Sequence, residues 1–331
     1  MQAESTLLLK RSDVEQLCTL RECIDAVEKV FCLQGDGKIP PPGILGMKTR
    51  DWGLHVKTAV LTAEENYIVA KLNTNFAENR RRFGLPTIQG VIVLSNAANG
   101  RTLALLDSID ITIKRTAAAT AVAAKYLARK DSSIATICGC GEQGRTQLRA
   151  LLLVLPVAKV YVFDVDQNAS GRFANELAPE LNVDIEAVHA LPPAIRSSAV
   201  VVTCTTAREF FVHKADVTSG TFIAAVGADD SHKQEIDPAL MASTKIVADS
   251  LEQVCTIGDT HHAIARHLMS KEDVYAELSE IVAGKKPGRI HDAEIIVFDS
   301  TGVAIEDAIA ASMVYGKART ANIGTQFDFA A

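Results

Sequence analysis

Three kinds of apolar pattern divide the chain. Near the N-terminus a polar, charged opening gives way to a helical pattern over 20–33, with Ile24, Val27, Val30 and Phe31 on one face. Gly35 and Gly37 stop that helix, and Pro40–Pro42 hold the next few residues extended. Strand-like runs come next, at 53–60, 67–72 and 89–94, with a polar loop over 73–85. Asn99-Gly100 marks a hairpin whose return strand is 101–106. An alanine-rich helix, 110–129, is expected to start near Thr112 to Thr116. From Ile134 onward, short continuous apolar runs (134–138, 159–163, 199–206, 221–226, 245–249 and 294–298) alternate with helical stretches, as buried parallel strands do. Residues 183–188 read as a further strand, 259–283 as mostly helical, and 304–318 as the last helix. The pattern predicts an α/β fold in which a mixed sheet precedes a parallel one.

One junction in that alternation carries chemistry. The run ending at Cys138 meets Gly139, Gly141 and Gly144, spaced G-x-G-x-x-G, and a helical pattern then covers 147–155. In such a turn the first glycine permits the bend and the second lets the backbone approach a pyrophosphate. The third lets helix and strand pack closely, so the helix N-terminal N–H groups face the phosphates. The next run ends at Asp164, about 25 residues past Gly139, where an acid grips a ribose 2′-hydroxyl. The glycines alone are a weak signal; in this context they indicate a dinucleotide site. A carboxylate there repels a 2′-phosphate, so NAD(H) is expected over NADP(H). Further cofactor contacts are expected from Glu142 and Gln143 in the turn and from Thr116 on the alanine-rich helix. Others are expected from Thr203, Thr205, Val226, Ser300 and Gly302, where strands end in small residues.

Composition narrows the classes. The 331 residues suffice for about two domains, and 48% hydrophobic with 22% charged content is that of an ordinary globular protein. A net charge of −6 gives no electrostatic case for nucleic acid or membrane as partner. No secretory segment and no apolar run long enough to span a bilayer is read. The seven cysteines, odd in number and without paired spacing, suit free thiols in a reducing cytoplasm.

Several side chains could do chemistry on a bound substrate. Lys71 and Lys57 lie within strand-like runs, where a lysine is as well explained by a solvent-facing position as by a pocket. Two of them in neighbouring strands favour a shared anion site. Arg115, placed at the opening of the alanine-rich helix, adds a fork for a carboxylate and calls for an anion nearby. Asp229 follows the run ending at Val226 and is placed as a proton donor or acceptor, with Asp230 an equal rival and a capping role the plainer alternative. His261, His262 and His267 do not match H-E-x-x-H and read as a partly exposed helix face, so no metal is expected. Arg80–Arg82 read as solvated loop that could steer an acidic substrate.

Several stretches together resemble the ornithine cyclodeaminase/mu-crystallin family over nearly the whole chain. They are Gly84-Leu-Pro-Thr87, Lys114-Arg-Thr-Ala-Ala118, Lys125-Tyr-Leu-Ala-Arg129, Cys138-Gly-Cys-Gly-Glu-Gln143, Val226-Gly-Ala-Asp229, Lys233-Gln-Glu235, Glu280-Ile-Val-Ala-Gly284, Pro287-Gly-Arg289 and Phe298-Asp-Ser-Thr-Gly302. The resemblance implies a homodimer and a discontinuous α+β substrate and dimerisation domain, residues 1–125 plus 303–331. A Rossmann domain, 126–302, would be inserted in it. It implies that Lys71 and Arg115 hold a substrate carboxylate and that Asp229 is the catalytic acid/base, Lys71 standing with it. It also implies hydride transfer between a nicotinamide and the α-carbon of an amino or imino acid. Two positions depart from the family. Gly43 stands where relatives carry a carboxylate-binding cation, and Lys57-Thr58 where they read methionine-proline, so the cation has moved across the pocket to Lys57. His55 and Lys57 also stand where a cyclodeaminase needs an acid for the distal ammonium of ornithine. An imine reductase or amino-acid dehydrogenase is therefore expected ahead of an ornithine cyclodeaminase, and both ahead of a mu-crystallin-like nucleotide-binding protein without turnover.

Overall fold

The computed structural model describes residues 5–49, 52–62, 66–76 and 78–329, the side chains of residues 48 and 80 excepted. Two compact units result: Met1–Arg115 with Val303–Ala331, and Thr116–Gly302. The strands are β1 (Thr6–Leu9), β2 (Gly43–Lys48), β3 (Gly53–Thr62), β4 (Asn66–Asn75), β5 (Ile88–Asn96), β6 (Thr102–Asp107), β7 (Ile134–Cys138) and β8 (Lys159–Phe163). They continue with β9 (Asp184–Ala187), β10 (Val200–Thr203), β11 (Phe222–Ala225), β12 (Lys245–Ala248), β13 (Ala276–Glu277), β14 (Ile296–Asp299) and β15 (Thr325–Phe327). The long helices are α1 (Leu20–Gly35), α2 (Ile109–Leu127), α3 (Glu142–Leu152), α4 (Gln167–Leu181) and α5 (Ala304–Ala321).

The first unit is a seven-stranded sheet in the order β15-β1-β6-β5-β4-β3-β2. It is mixed because β1 runs parallel to β6, while its other pairs are antiparallel. The period-2 alternation of a half-buried strand sets its two faces. Lys57, Ala59 and Leu61 of β3 and Tyr67, Val69 and Lys71 of β4 are buried on one face, and Ile68 and Leu72 are exposed on the other. α5 packs on β3, β4 and α1, its Tyr315 ring meeting Tyr67 edge to face. Ten of its residues are buried, which explains an alanine-rich sequence with no polar stripe.

The second unit is an eight-stranded sheet in the order β13-β12-β14-β11-β10-β7-β8-β9, with every pairing parallel. β7, β8 and β9 run one way from the centre and β10 and β11 the other, so the direction of winding reverses between β7 and β10. That reversal is the switch point of a doubly wound α/β sheet, where such folds take ligands. Its core gathers Val201, Ile223, Ile246 and Val297 from four strands with Ile195, Leu240 and Met241 from the helices.

Some elements differ from the pattern-based reading. The polar opening contains β1, which docks against β6 far along the chain. α2 begins at Ile109, not at Thr112 to Thr116, because Asp107 Oδ1 accepts the Ile109 N–H at 3.0 Å and starts the helix earlier. The stretch 259–283 holds only two short helices, Asp259–Ala265 and Leu278–Val282, with a 3₁₀ turn and β13 between them. His267, at φ 55°, ends the first, and pairing of Ala276–Glu277 with β12 overrides local helix preference. Of Arg80–Arg82, Arg81 pairs with Glu78 at the surface; the Arg80 side chain lies outside the described residues.

Candidate functional site

In the second unit β7 delivers the chain into the glycine turn and α3 takes it away. Gly139 has φ +103°, and a Cβ there would lie 2.9 Å from the Cys204 carbonyl oxygen. A Cβ on Gly144 would lie 1.9 Å from the Gly139 carbonyl oxygen, so α3 can approach β7 only because the residue has no side chain. Gly141 is different: its backbone is extended and nothing lies within 4 Å of a Cβ built on it. The space is open at the N-cap of an eleven-residue helix, where free N–H groups can donate to an anion. Asp164 closes one side of the turn, its Oδ2 accepting the Cys140 N–H at 2.8 Å and its Oδ1 that of Asp166 at 3.0 Å. Gln143 Nε2 is buried without a hydrogen-bond partner among the described residues, and Glu142 is exposed. Burial and Asp164 push the Cys140 thiol up to about 12, and burial also raises Cys138 and Cys204, so no thiolate stands at the turn.

The other strand ends are tied together by buried carboxylates that local pattern does not single out. Glu235 accepts the Thr205 N–H and hydroxyl, both at 2.6 Å, and the Gly227 N–H at 2.8 Å, joining the loops after β10 and β11. Burial raises its pKa, only partly opposed by these donors. Asp249 accepts the Ser300 hydroxyl at 3.3 Å and the Thr301 and Gly302 N–H groups at 2.7 and 2.6 Å. Thr203 is wholly buried and Val226 nearly so. Thr116 is half-buried, and its carbonyl accepts from Thr120. Asp229 is about half exposed and pairs with Lys233 at 2.5 Å. Burial pulls Lys233 down, but Asp229, with Asp230 and Glu235, outweighs it and its pKa is raised. Asp230 caps its own loop, accepting the His232 N–H at 2.8 Å. His262 Nε2 lies 2.8 Å from the Lys233 carbonyl, and among the described residues no group of three or more His, Cys, Asp and Glu side chains could hold a metal ion.

In the first unit the cations converge. Lys57 and Lys71 are directly opposite in the β3–β4 register, on the buried face. Arg115 lies well inside α2 and not at its N-terminus, so the anion it meets is not a helix end. Its Nε donates to Asp307 Oδ1 at 3.0 Å and its Nη1 to Glu306 Oε2 at 2.8 Å. Lys71 Nζ lies 2.7 Å from the other Asp307 oxygen and 3.5 Å from Thr112 Oγ1. Burial brings Lys71 down to about 7, with Arg115 and Lys57 pushing the same way and Asp307 resisting. Burial would raise Asp307, but Arg115, Lys71 and Lys57 hold it below the usual carboxylate range. Gly43 pairs with Thr58, one residue from Lys57, and a Cβ at 43 would strike the Thr58 hydroxyl. Glu306 and Asp307 escape a reading of the sequence because acids in a helix's first turn pass as ordinary partners of its dipole. The available signal is their setting: two adjacent carboxylates followed directly by a small, apolar run, Ala308-Ile-Ala-Ala311, require buried partners. A cluster of this kind can orient a carboxylate-bearing molecule by charge and by directed N–H groups.

The sequence model of the ornithine cyclodeaminase/mu-crystallin family matches residues 4–322. The chain is 36% identical over 326 residues to the alanine dehydrogenase of Archaeoglobus fulgidus, covering 98% of each protein. An archaeal alanine dehydrogenase dimer with bound NAD has a TM-score of 0.94 at 36% identity, over 98% of this chain and 99% of that one. The Delta(1)-pyrroline-2-carboxylate reductase of Thermococcus litoralis, in complex with NADH and L-proline, has a TM-score of 0.91 at 36% identity, over 97% and 99% of the two chains.

Proposed function

The chain belongs to the ornithine cyclodeaminase/mu-crystallin family, and on that premise we propose that it is an NAD(H)-dependent oxidoreductase acting on the CH–NH2 or C=N group of a small amino or imino acid. The observation that carries this reading is the gathering of Lys57, Lys71 and Arg115 in one buried cluster, in a chain that also holds a glycine turn open at Gly141. Lys71 and Arg115, with Lys57 beside them, bind and orient the substrate carboxylate. Asp229, at the end of the β11 loop, gives a proton to the imine nitrogen or takes one from the amine. Gly139, Gly141 and Gly144 with the N-terminus of α3 hold the cofactor diphosphate, and Asp164 holds the ribose and disfavours a 2′-phosphate. The bound cofactor supplies the hydride chemistry; the protein supplies binding, orientation and the proton. Ile44, Leu45 and Met47 of β2 are exposed with Ile68 and Leu72 of β4, and an apolar surface of that kind supports a homodimer.

The test is a panel of 2-oxo acids with ammonium, and of cyclic imino acids, followed by NADH absorbance. Oxidation of NADH with at least one of them is expected. No oxidation across the panel by protein that binds NADH would leave a nucleotide-binding protein without turnover. Formation of proline and ammonia from ornithine with catalytic NAD would replace the reductase by a cyclodeaminase.

A further inference from the structure

Among the buried carboxylates at the strand ends of the second unit, Glu235 reaches the loop that carries Asp229. Glu235 is wholly buried, and its backbone is held on both sides. Its N–H donates to Asp259 Oδ1 at 2.9 Å, and its carbonyl accepts the Phe211 and Val212 N–H groups at 3.0 and 3.1 Å. Asp259 is itself fixed, because Asp299 at the end of β14 accepts its N–H at 3.3 Å and the Thr260 N–H and hydroxyl at 2.8 and 2.7 Å. The two oxygens of Glu235 serve different loops. Oε1 takes both donors of Thr205, after β10, and Oε2 takes the Gly227 N–H, after β11. A Cβ on Gly227 would run into both oxygens, so only glycine lets the carboxylate come this close. The Gly227 carbonyl in turn accepts the Asp229 N–H at 3.1 Å, and Lys233 pairs with the Asp229 carboxylate at 2.5 Å. The loop is thus tied at both ends to the segment 233–235.

We propose that Glu235 is a positioning residue for the proton-transfer step, its carboxylate anchoring the Asp229 loop to the end of β10 and so fixing where Asp229 presents its carboxyl group. This rests on the proposed function for the role of Asp229. A buried carboxylate is costly unless its lone pairs are taken, so a bridge that needed only shape would be cheaper from an apolar side chain. This place needs an acceptor at each end, because Thr205 and Gly227 both bring donors. A carboxylate has two accepting oxygens; a glutamine amide has one, and its NH2 would face a donor. Asp229 is about half exposed, so its position depends on how its loop is tied more than on packing around its side chain. Misplacing a reacting group by about 1 Å can cost about 10²-fold in rate.

The test is a double-mutant cycle. Glu235→Gln keeps the side chain's shape and can keep Thr205 on its one oxygen while it loses Gly227. Steady-state rates are measured on an imine that the wild type reduces, with NADH Kd by fluorescence and Tm as the check of folding. The variant is expected to lower kcat roughly tenfold to a hundredfold, with KM and NADH Kd near wild type. In an Asp229→Asn background the same change is expected to lower kcat less than about twofold, because a residue that acts through Asp229 then has nothing left to position. Equal losses in the two backgrounds, an NADH Kd weakened as much as kcat falls, or undiminished kcat in the folded variant would overturn the proposal. Amide hydrogen exchange gives a readout that needs no turnover. The Gly227 N–H is expected to exchange slowly in wild type and about tenfold faster or more in Glu235→Gln; a wild-type rate like that of exposed loops would sink the anchor. Should the variant not fold, that wild-type rate decides. Absence of turnover on every imine would count against the proposed function, while exchange at Gly227 would still judge the anchor.

Discussion

Replacing Gly141 by alanine separates what a glycine does for the fold from what it does for a ligand. Its backbone, at φ −78° and ψ −171°, is open to any residue, and a Cβ there meets nothing within 4 Å. Less freedom in the unfolded chain stabilises such a change slightly, and alanine at an N-cap costs a similar amount, so stability stays within roughly 1 kcal/mol of wild type. A methyl group at 141 fills the space through which a diphosphate would reach the backbone. Overpacking of that size costs about 1–3 kcal/mol, or roughly fivefold to a hundredfold in Kd for NADH. Gly144→Ala is the control, because its Cβ would lie 1.9 Å from a backbone oxygen that cannot turn aside. That variant should lose about 1–3 kcal/mol of stability or more, visible as a Tm lowered by several degrees without any ligand. The assay pairs an NADH fluorescence titration with thermal denaturation of the apoprotein. Wild-type NADH affinity in Gly141→Ala would refute the placement of the cofactor at this turn.

The same geometry sets three more expected outcomes. Asp164→Ser removes the acceptor beside the turn and should shift the NADPH/NADH preference at least tenfold toward NADPH, as read from the two Kd values; an unmoved ratio would take Asp164 out of cofactor selection. Asp229→Asn should keep NADH affinity and lower kcat by about 10²–10⁴-fold, the usual worth of a placed acid or base; undiminished turnover would remove Asp229 from the reaction. Lys71, held near 7 by burial, is charged below that value and neutral above it, so the clamp loses a positive unit as pH rises through about 7. KM for the carboxylate substrate should therefore rise from pH 6 to pH 8, and a KM that falls over that range would contradict the assignment of Lys71 to the clamp.

Much of the second unit was legible from local pattern. The apolar runs at 134–138, 159–163 and 221–226 became β7, β8 and β11, and the spacing of Gly139, Gly141 and Gly144 located a turn whose close approaches depend on missing side chains. The position of β14 between β11 and β12 was not legible, because an apolar run does not state its neighbours. Nor was the break-up of 259–283, where pairing across the sheet outweighed helix preference.

The amino-acid order by itself determined most of the strands and helices, where the chain must bend, and which charged residues deserved suspicion. These depend on backbone preference and on periodicity within a few residues. Only the tertiary structure decided that Lys57 and Lys71 face inward, that Arg115 sits well inside its helix, and that the anions it meets come from the far end of the chain. Which face of a strand is buried, and which distant carboxylate meets a cation there, is decided by what packs against that face. In this protein α5 does so, packing on β3 and β4 and bringing Glu306 to Arg115 from 191 residues away.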